Sequence, residues 1–107
     1  MSALHPCHRI RSIVVAPTGE LDIADSHGLR EHLTDALDES AHVVLDLHQV
    51  TFIDSTILSA ILEGHQLAQS RGSRLTIVGV IPRVAKLFRV TQLDRVLELR
   101  ENASLPD

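Results

Sequence analysis

The chain predicts a small α/β layer fold built on a mixed sheet, and three observations carry that expectation. Short apolar runs that suit buried strands alternate with longer segments whose apolar residues recur at helical spacing. An early strand–turn–strand, Ser12 to Ile23, adds a change of direction and makes the sheet mixed rather than wholly parallel. The stretch His42–Gly64, HVVLDLHQVTFIDSTILSAILEG, reads as strand, turn and helix, with three oxygen-bearing residues where the helix starts. At 107 residues the chain makes one domain, large enough to bury a core without disulfides or metal.

Taken in order, Met1 to Arg11 is irregular, with a short edge strand starting near Arg9. Ser12–Pro17, with Ile13, Val14 and Val15, is the first clear strand, and Thr18-Gly19 is a turn. Glu20–Ile23 alternates polar and apolar, as a half-buried strand does. Asp22, Asp25 and Ser26 are candidate caps for a helix over Asp25–Asp38, whose apolar face is Leu29, Leu33, Ala36 and Leu37. Val43–Leu47 is a strand, His48–Asp54 a turn and Ser55–Ser70 a helix. Gly72 closes that helix in the left-handed conformation. Arg74–Gly79 is a further strand. Pro82 suits a first helical position, and Val84, Leu87 and Phe88 give a short amphipathic helix after it. Thr91–Asp94 is a turn or short helix, Val96 to Leu99 carries a last strand ending near Arg100, and Glu101–Asp107 is a frayed tail. The irregular ends expected are residues 1–9 and 101–107.

Composition excludes several functions. Hydrophobic residues make up 44% of the chain but aromatics only 2%, so the core is aliphatic and stacking platforms for single-stranded nucleic acid are missing. A net charge of −4 opposes binding to a phosphate backbone, so no direct nucleic-acid contact is expected. The single cysteine, Cys7, cannot form an internal disulfide, which suits a reducing compartment. No apolar run approaches the about 18 residues of a membrane span, and the N-terminus has no apolar signal core. A cytoplasmic protein without membrane insertion is expected.

The sharpest chemical feature is Asp54-Ser55-Thr56. Helix capping accounts for these residue types, because each can accept from the free N–H groups of a first turn. The same geometry places two hydroxyls at an edge where another molecule can reach them. A phosphate there would add about −1.5 to −2 charges beside Asp54, favoured by the helix dipole and opposed by Asp54 and Asp22. Ser55 as a catalytic nucleophile is disfavoured, because a nucleophile elbow needs glycines on both sides and none lies within two residues. Neither His48 nor His65 stands at a spacing that demands a base. His5, Cys7 and His8 match no zinc-finger or HExxH spacing, so no metal is expected, and the absence of a GxxxxGK[ST] loop argues against nucleotide hydrolysis. Arg83, Lys86 and Arg89 read as a solvated helix face. No catalytic residue and no cofactor are assigned.

VVLDLHQVTFIDSTIL resembles the signature of STAS domains of the bacterial anti-sigma factor antagonist type, commonly VVLDLSxVxFIDSSGL. Gly19-Glu20-Leu21-Asp22 matches that family's GELD turn. Leu29-Arg30-Glu31, Arg71–Leu75, Pro82 with Leu87-Phe88, and Thr91-Gln92-Leu93 match further positions, so the resemblance covers nearly the whole chain. It implies a single STAS domain over 1–107, with a mixed sheet and helices mainly on one face. It also implies a non-enzymatic regulator that binds an anti-sigma factor, usually an ATP-using serine/threonine protein kinase, and so frees a sigma factor. The implied phosphoacceptor is Thr56, with Ser55 as the alternative, and a phosphatase would restore it. Asp22, Asp54, Ser55, Thr56 and Ile57 are the implied docking residues. Two positions depart from the pattern: Ile57 and Gln92 stand where the family usually has Gly. Ile57 either crowds the kinase, adds an apolar docking contact or is buried. The competing readings are a constitutive interaction module without phosphorylation, serving a signalling scaffold or a transporter, and a hydrolase using Ser55.

Overall fold

The computed structural model describes residues 12–100. The elements are β1 (Ile13–Val15), β2 (Gly19–Leu21), α1 (Ile23–Glu39), β3 (His42–Asp46), β4 (Val50–Ile53), α2 (Ser55–Ser70), β5 (Arg74–Val78), α3 (Pro82–Val90), a 3₁₀ turn at Leu93–Arg95, and β6 (Glu98–Arg100). The irregular ends and the edge strand near Arg9 lie outside the described residues.

The expected small α/β fold is present, but the strand–turn–strand expected at Ser12–Ile23 is not an antiparallel pair. Among the described residues every ladder is parallel: β1–β3, β3–β5 and β5–β6 form one sheet of order β1-β3-β5-β6, and β2–β4 form a second ladder. The Thr18-Gly19 turn is therefore not a hairpin. Gly19 sits at φ +84, a conformation that costs glycine no Cβ clash, and its N–H donates to the Gln49 carbonyl at 2.8 Å. The β1–β2 segment steps sideways there and continues along the β3–β4 segment. For the same reason part of His48–Asp54, expected as a turn, is strand β4: its partner, β2, lies far away in sequence.

One face of the four-stranded sheet supplies the core. Val43, Leu45, Leu75 and Ile77 are buried there, with Ile13, Val15 and Leu99 packed against them. Leu29, Leu33 and Leu37 of α1 and Ile57, Leu58 and Ile61 of α2 cover that face, their helical spacing aligning them on one side of each helix. The two helices approach closely at Gly64, where an added Cβ would stand 3.0 Å from Leu33 Cδ1. Arg30 bridges the pair with two bonds to Glu63, at 2.9 and 3.2 Å. Phe88 of α3 is fully buried and is the largest side chain in the core.

Candidate functional site

The parallel β2–β4 ladder determines what meets at one edge. Leu21 and Ile53 are register partners, so the residues that follow them, Asp22 and Asp54, leave the ladder side by side. Each is extended, and each caps the helix that begins next. Two helix N-termini, with their free N–H groups and positive dipole ends, therefore open onto the same edge. The first helix starts at Ile23, not Asp25, because Asp22 is the cap that the chain uses.

The caps are built differently. At α1, Asp22 Oδ1 accepts from the Ala24 N–H at 2.9 Å, and Asp25 Oδ2 accepts from the Asp22 N–H at 2.9 Å, a reciprocal capping box. At α2, a single oxygen, Asp54 Oδ1, accepts from the Thr56 N–H at 3.0 Å, the Ile57 N–H at 3.1 Å and the Thr56 hydroxyl at 2.5 Å. The Thr56 hydroxyl is the main reason the Asp54 carboxyl is held below its ordinary range. Burial acts in the opposite direction, and the amides of Ile57, Thr56 and Ile23 add to the lowering.

The expected site residues divide by exposure. Asp22 and Ser55 are exposed, while Asp54 and Thr56 are half-buried at the same edge. Ile57 belongs elsewhere: its side chain is 0% exposed and sits in the core. As the third residue of α2 it turns inward with Leu58 and Ile61, so it neither crowds the edge nor offers a docking contact, and it leaves the set of docking side chains. Only its backbone N–H serves the site. Among the described residues no hydrogen bond joins Ser55 to a histidine. The His48 ring is instead held by Asp46, with Nδ1 2.8 Å from Oδ1.

Among the described residues no three His, Cys, Asp or Glu side chains gather as a metal site, and His5, Cys7 and His8 lie outside them. No helix among the described residues is long and apolar enough to cross a membrane. Arg83, Lys86 and Arg89 are exposed, as a solvated face requires.

Sequence reasoning missed two residues at the edge. Ile23 is 69% exposed and Phe52 is 45% exposed. The signal for Ile23 was Asp22 itself: once it is taken as the cap, Ile23 becomes the first helical residue, at the very end of the buried stripe.

The model of the STAS domain family matches residues 7–104. The chain belongs to the STAS domain family. Its STAS fold is shared with solved structures of differing roles. The STAS chain is similar to the anti-sigma F factor antagonist of Paenibacillus polymyxa, 28% identical over 97 residues, 89% of this chain and 83% of that protein. A sulfate transporter family protein from Wolinella succinogenes superposes with a TM-score of 0.76 at 16% identity, covering 92% of this chain and 86% of that one. The Bacillus cell fate determinant SpoIIAA in its phosphorylated form superposes with a TM-score of 0.70 at 17% identity, over 88% and 85%. Relatives named as antagonists of sigma-F and sigma-B anti-sigma factors place this STAS domain in the anti-sigma factor antagonist group.

Proposed function

We propose that this STAS domain binds an anti-sigma factor of the ATP-using serine/threonine kinase type through the Asp22–Asp54 edge, and that phosphorylation of Thr56 ends the binding. The chain acts as a single domain that binds and releases, in the cytoplasm, without chemistry of its own. The observation that carries this reading is the Thr56 hydroxyl, held at 2.5 Å by Asp54 at the start of α2 and half-buried at the edge that Asp22 shares. In the unmodified state that hydroxyl is a donor and satisfies the carboxylate. Phosphoryl transfer from the partner's ATP joins the γ-phosphorus to Thr56 Oγ1 as its bond to the β,γ-bridging oxygen breaks, so ADP leaves and the hydroxyl proton passes to a base of the kinase or to solvent. The donor is then gone, and about −1.5 to −2 charges stand against Asp54. The α2 dipole tolerates the new charge, but an edge docked against the kinase's own nucleotide phosphates does not. A phosphatase resets the switch. The buried Ile57 supports this reading, because the larger residue takes no space at the edge.

The second reading is a constitutive module. It is favoured by the half-buried state of Thr56, whose hydroxyl must leave Asp54 before a kinase can use it. The two readings separate in a binding assay with purified kinase. Under the switch, Thr56→Ala keeps its affinity and Thr56→Glu loses about 100-fold. Incubation with the kinase and labelled ATP transfers phosphate to wild type and to Ser55→Ala but not to Thr56→Ala. Equal affinities with no labelling would leave the constitutive module. Label lost only in Ser55→Ala would move the acceptor to Ser55.

A further inference from the structure

The phosphoacceptor does not account for everything exposed at this edge. Ile23, the first residue of α1, is 69% exposed, and Phe52, which faces Glu20 across the β2–β4 ladder, is 45% exposed. An isoleucine so placed does nothing for the core or for the cap, which Asp22 and Asp25 complete between them. The fixed charges in the two segments that build the edge are of one sign, and His27, one turn along α1 from Ile23, pairs with Glu31. Residues 19–26 and 50–58, which build the edge, contain Glu20, Asp22, Asp25 and Asp54 and no Lys, Arg or His. Other carboxylates do have basic partners, among them Glu63 with Arg30, Asp38 with Arg71 and Glu98 with Arg74. Among the described residues none of the four edge carboxylates forms an ion pair. An apolar side chain thus stands within an unneutralised acidic rim, and the rim is pre-ordered because three of its four members are bound to backbone N–H groups.

We infer that Ile23 is the apolar anchor of the docking surface, and that it seats in a pocket of the anti-sigma kinase rimmed by Lys and Arg. This rests on the function proposed above and adds the chemistry of the partner's face. A central apolar contact inside a charged rim is the arrangement in which one side chain carries much of an interface, since the rim excludes water and steers approach. The rim and the switch do not conflict. Glu20, Asp22 and Asp25 meet the cations, whereas Thr56 meets the nucleotide phosphates, so charge added at Thr56 repels while the rim attracts.

The test uses the full chain and the purified kinase, with affinities read by titration calorimetry. Ile23→Ala is expected to weaken binding by about 10- to 100-fold. Val90→Ala, which removes an equally exposed side chain from the end of α3, changes it less than about 2-fold. Glu20→Lys weakens binding at low salt, and that loss shrinks in about 0.5 M salt as the rim is screened. Melting curves of Ile23→Ala that overlay wild type exclude a folding defect. If wild type and Thr56→Ala bind while Ile23→Ala binds equally well, the anchor is wrong and the proposed function stands. If wild type fails to bind the kinase, the function fails and takes the anchor with it. Wild type dimerising through Ile23, seen as a dimer in sedimentation that Ile23→Ala abolishes, with unchanged kinase affinity, would assign the surface to a second copy and overturn the proposal.

Discussion

The starts of α1 and α2 are built to one plan and put to two uses. Each follows a strand of the same parallel ladder, and each is capped by an aspartate. Counting from the cap, Ile23 stands where α2 has Ser55, Ala24 where it has Thr56, and Asp25 where it has Ile57. At α1 the third position holds the carboxylate that completes the capping box, and the isoleucine is left outside. At α2 the third position holds an isoleucine in the core, and the cap's spare capacity goes to a hydroxyl. The difference teaches that a cap needs only backbone donors. What its remaining positions hold decides whether a helix start leaves an isoleucine exposed or holds a hydroxyl against its cap.

The largest expected effect separates the two isoleucines. Ile57→Ala opens a cavity under α2 and is expected to cost about 2–5 kcal/mol in chemical denaturation. Ile23→Ala should stay within about 0.5 kcal/mol. Similar costs for both would break the division between core and surface.

Next come the caps. Asp54→Ala removes the acceptor for two N–H groups and the Thr56 hydroxyl, so its melting temperature should fall by on the order of 5 °C. Asp22→Ala should fall less, since Asp25 still accepts from the residue 22 N–H. An equal or larger loss at Asp22 would show that the capping box, not the shared oxygen, is the stronger device.

Strain lies away from both helix starts. Gln92 adopts φ 63, where a side chain is penalised by about 1–2 kcal/mol and glycine is not. Part of that gain is returned through the freer unfolded chain, so Gln92→Gly should stabilise by about 0.5–1 kcal/mol with kinase affinity unchanged. A changed affinity would extend the functional edge to the end of α3.

The smallest effects are titrations. The Asp54 carboxyl is depressed in the folded state, so its contribution is complete above the ordinary value of 3.8 and is lost as pH falls below it. Asp54→Asn keeps a capping side chain and should flatten that acid limb of a melting-temperature profile. His42 is also lowered, chiefly by burial and then by Arg74, and its Nε2 lies 2.9 Å from Thr76 Oγ1. The unfolded chain takes that proton first, so stability is complete above pH 6.5 and declines below it, a limb that His42→Gln should remove. Loss of the Asp54 limb in the His42 variant would show that the two regions are coupled.

Much of this protein is legible in the chain itself. Alternating apolar periods mark the strands and helices, and Asp54-Ser55-Thr56 marks a helix start carrying hydroxyls. These are local signals, read from neighbours along the chain. The parallel direction of β1 and β2, and the existence of β4, come from pairing between segments some thirty residues apart, as at Gly19 and Val50, and no local pattern encodes such a partner. That pairing alone brings Asp22 beside Asp54. It therefore also decides that Ile23 is exposed with its backbone N–H at Asp54, while Ile57, one residue from Thr56 in sequence, faces the core. Side-chain chemistry was written in the chain, but which side chains share an edge was decided by the ladder, because adjacency across strands depends on register and not on sequence distance.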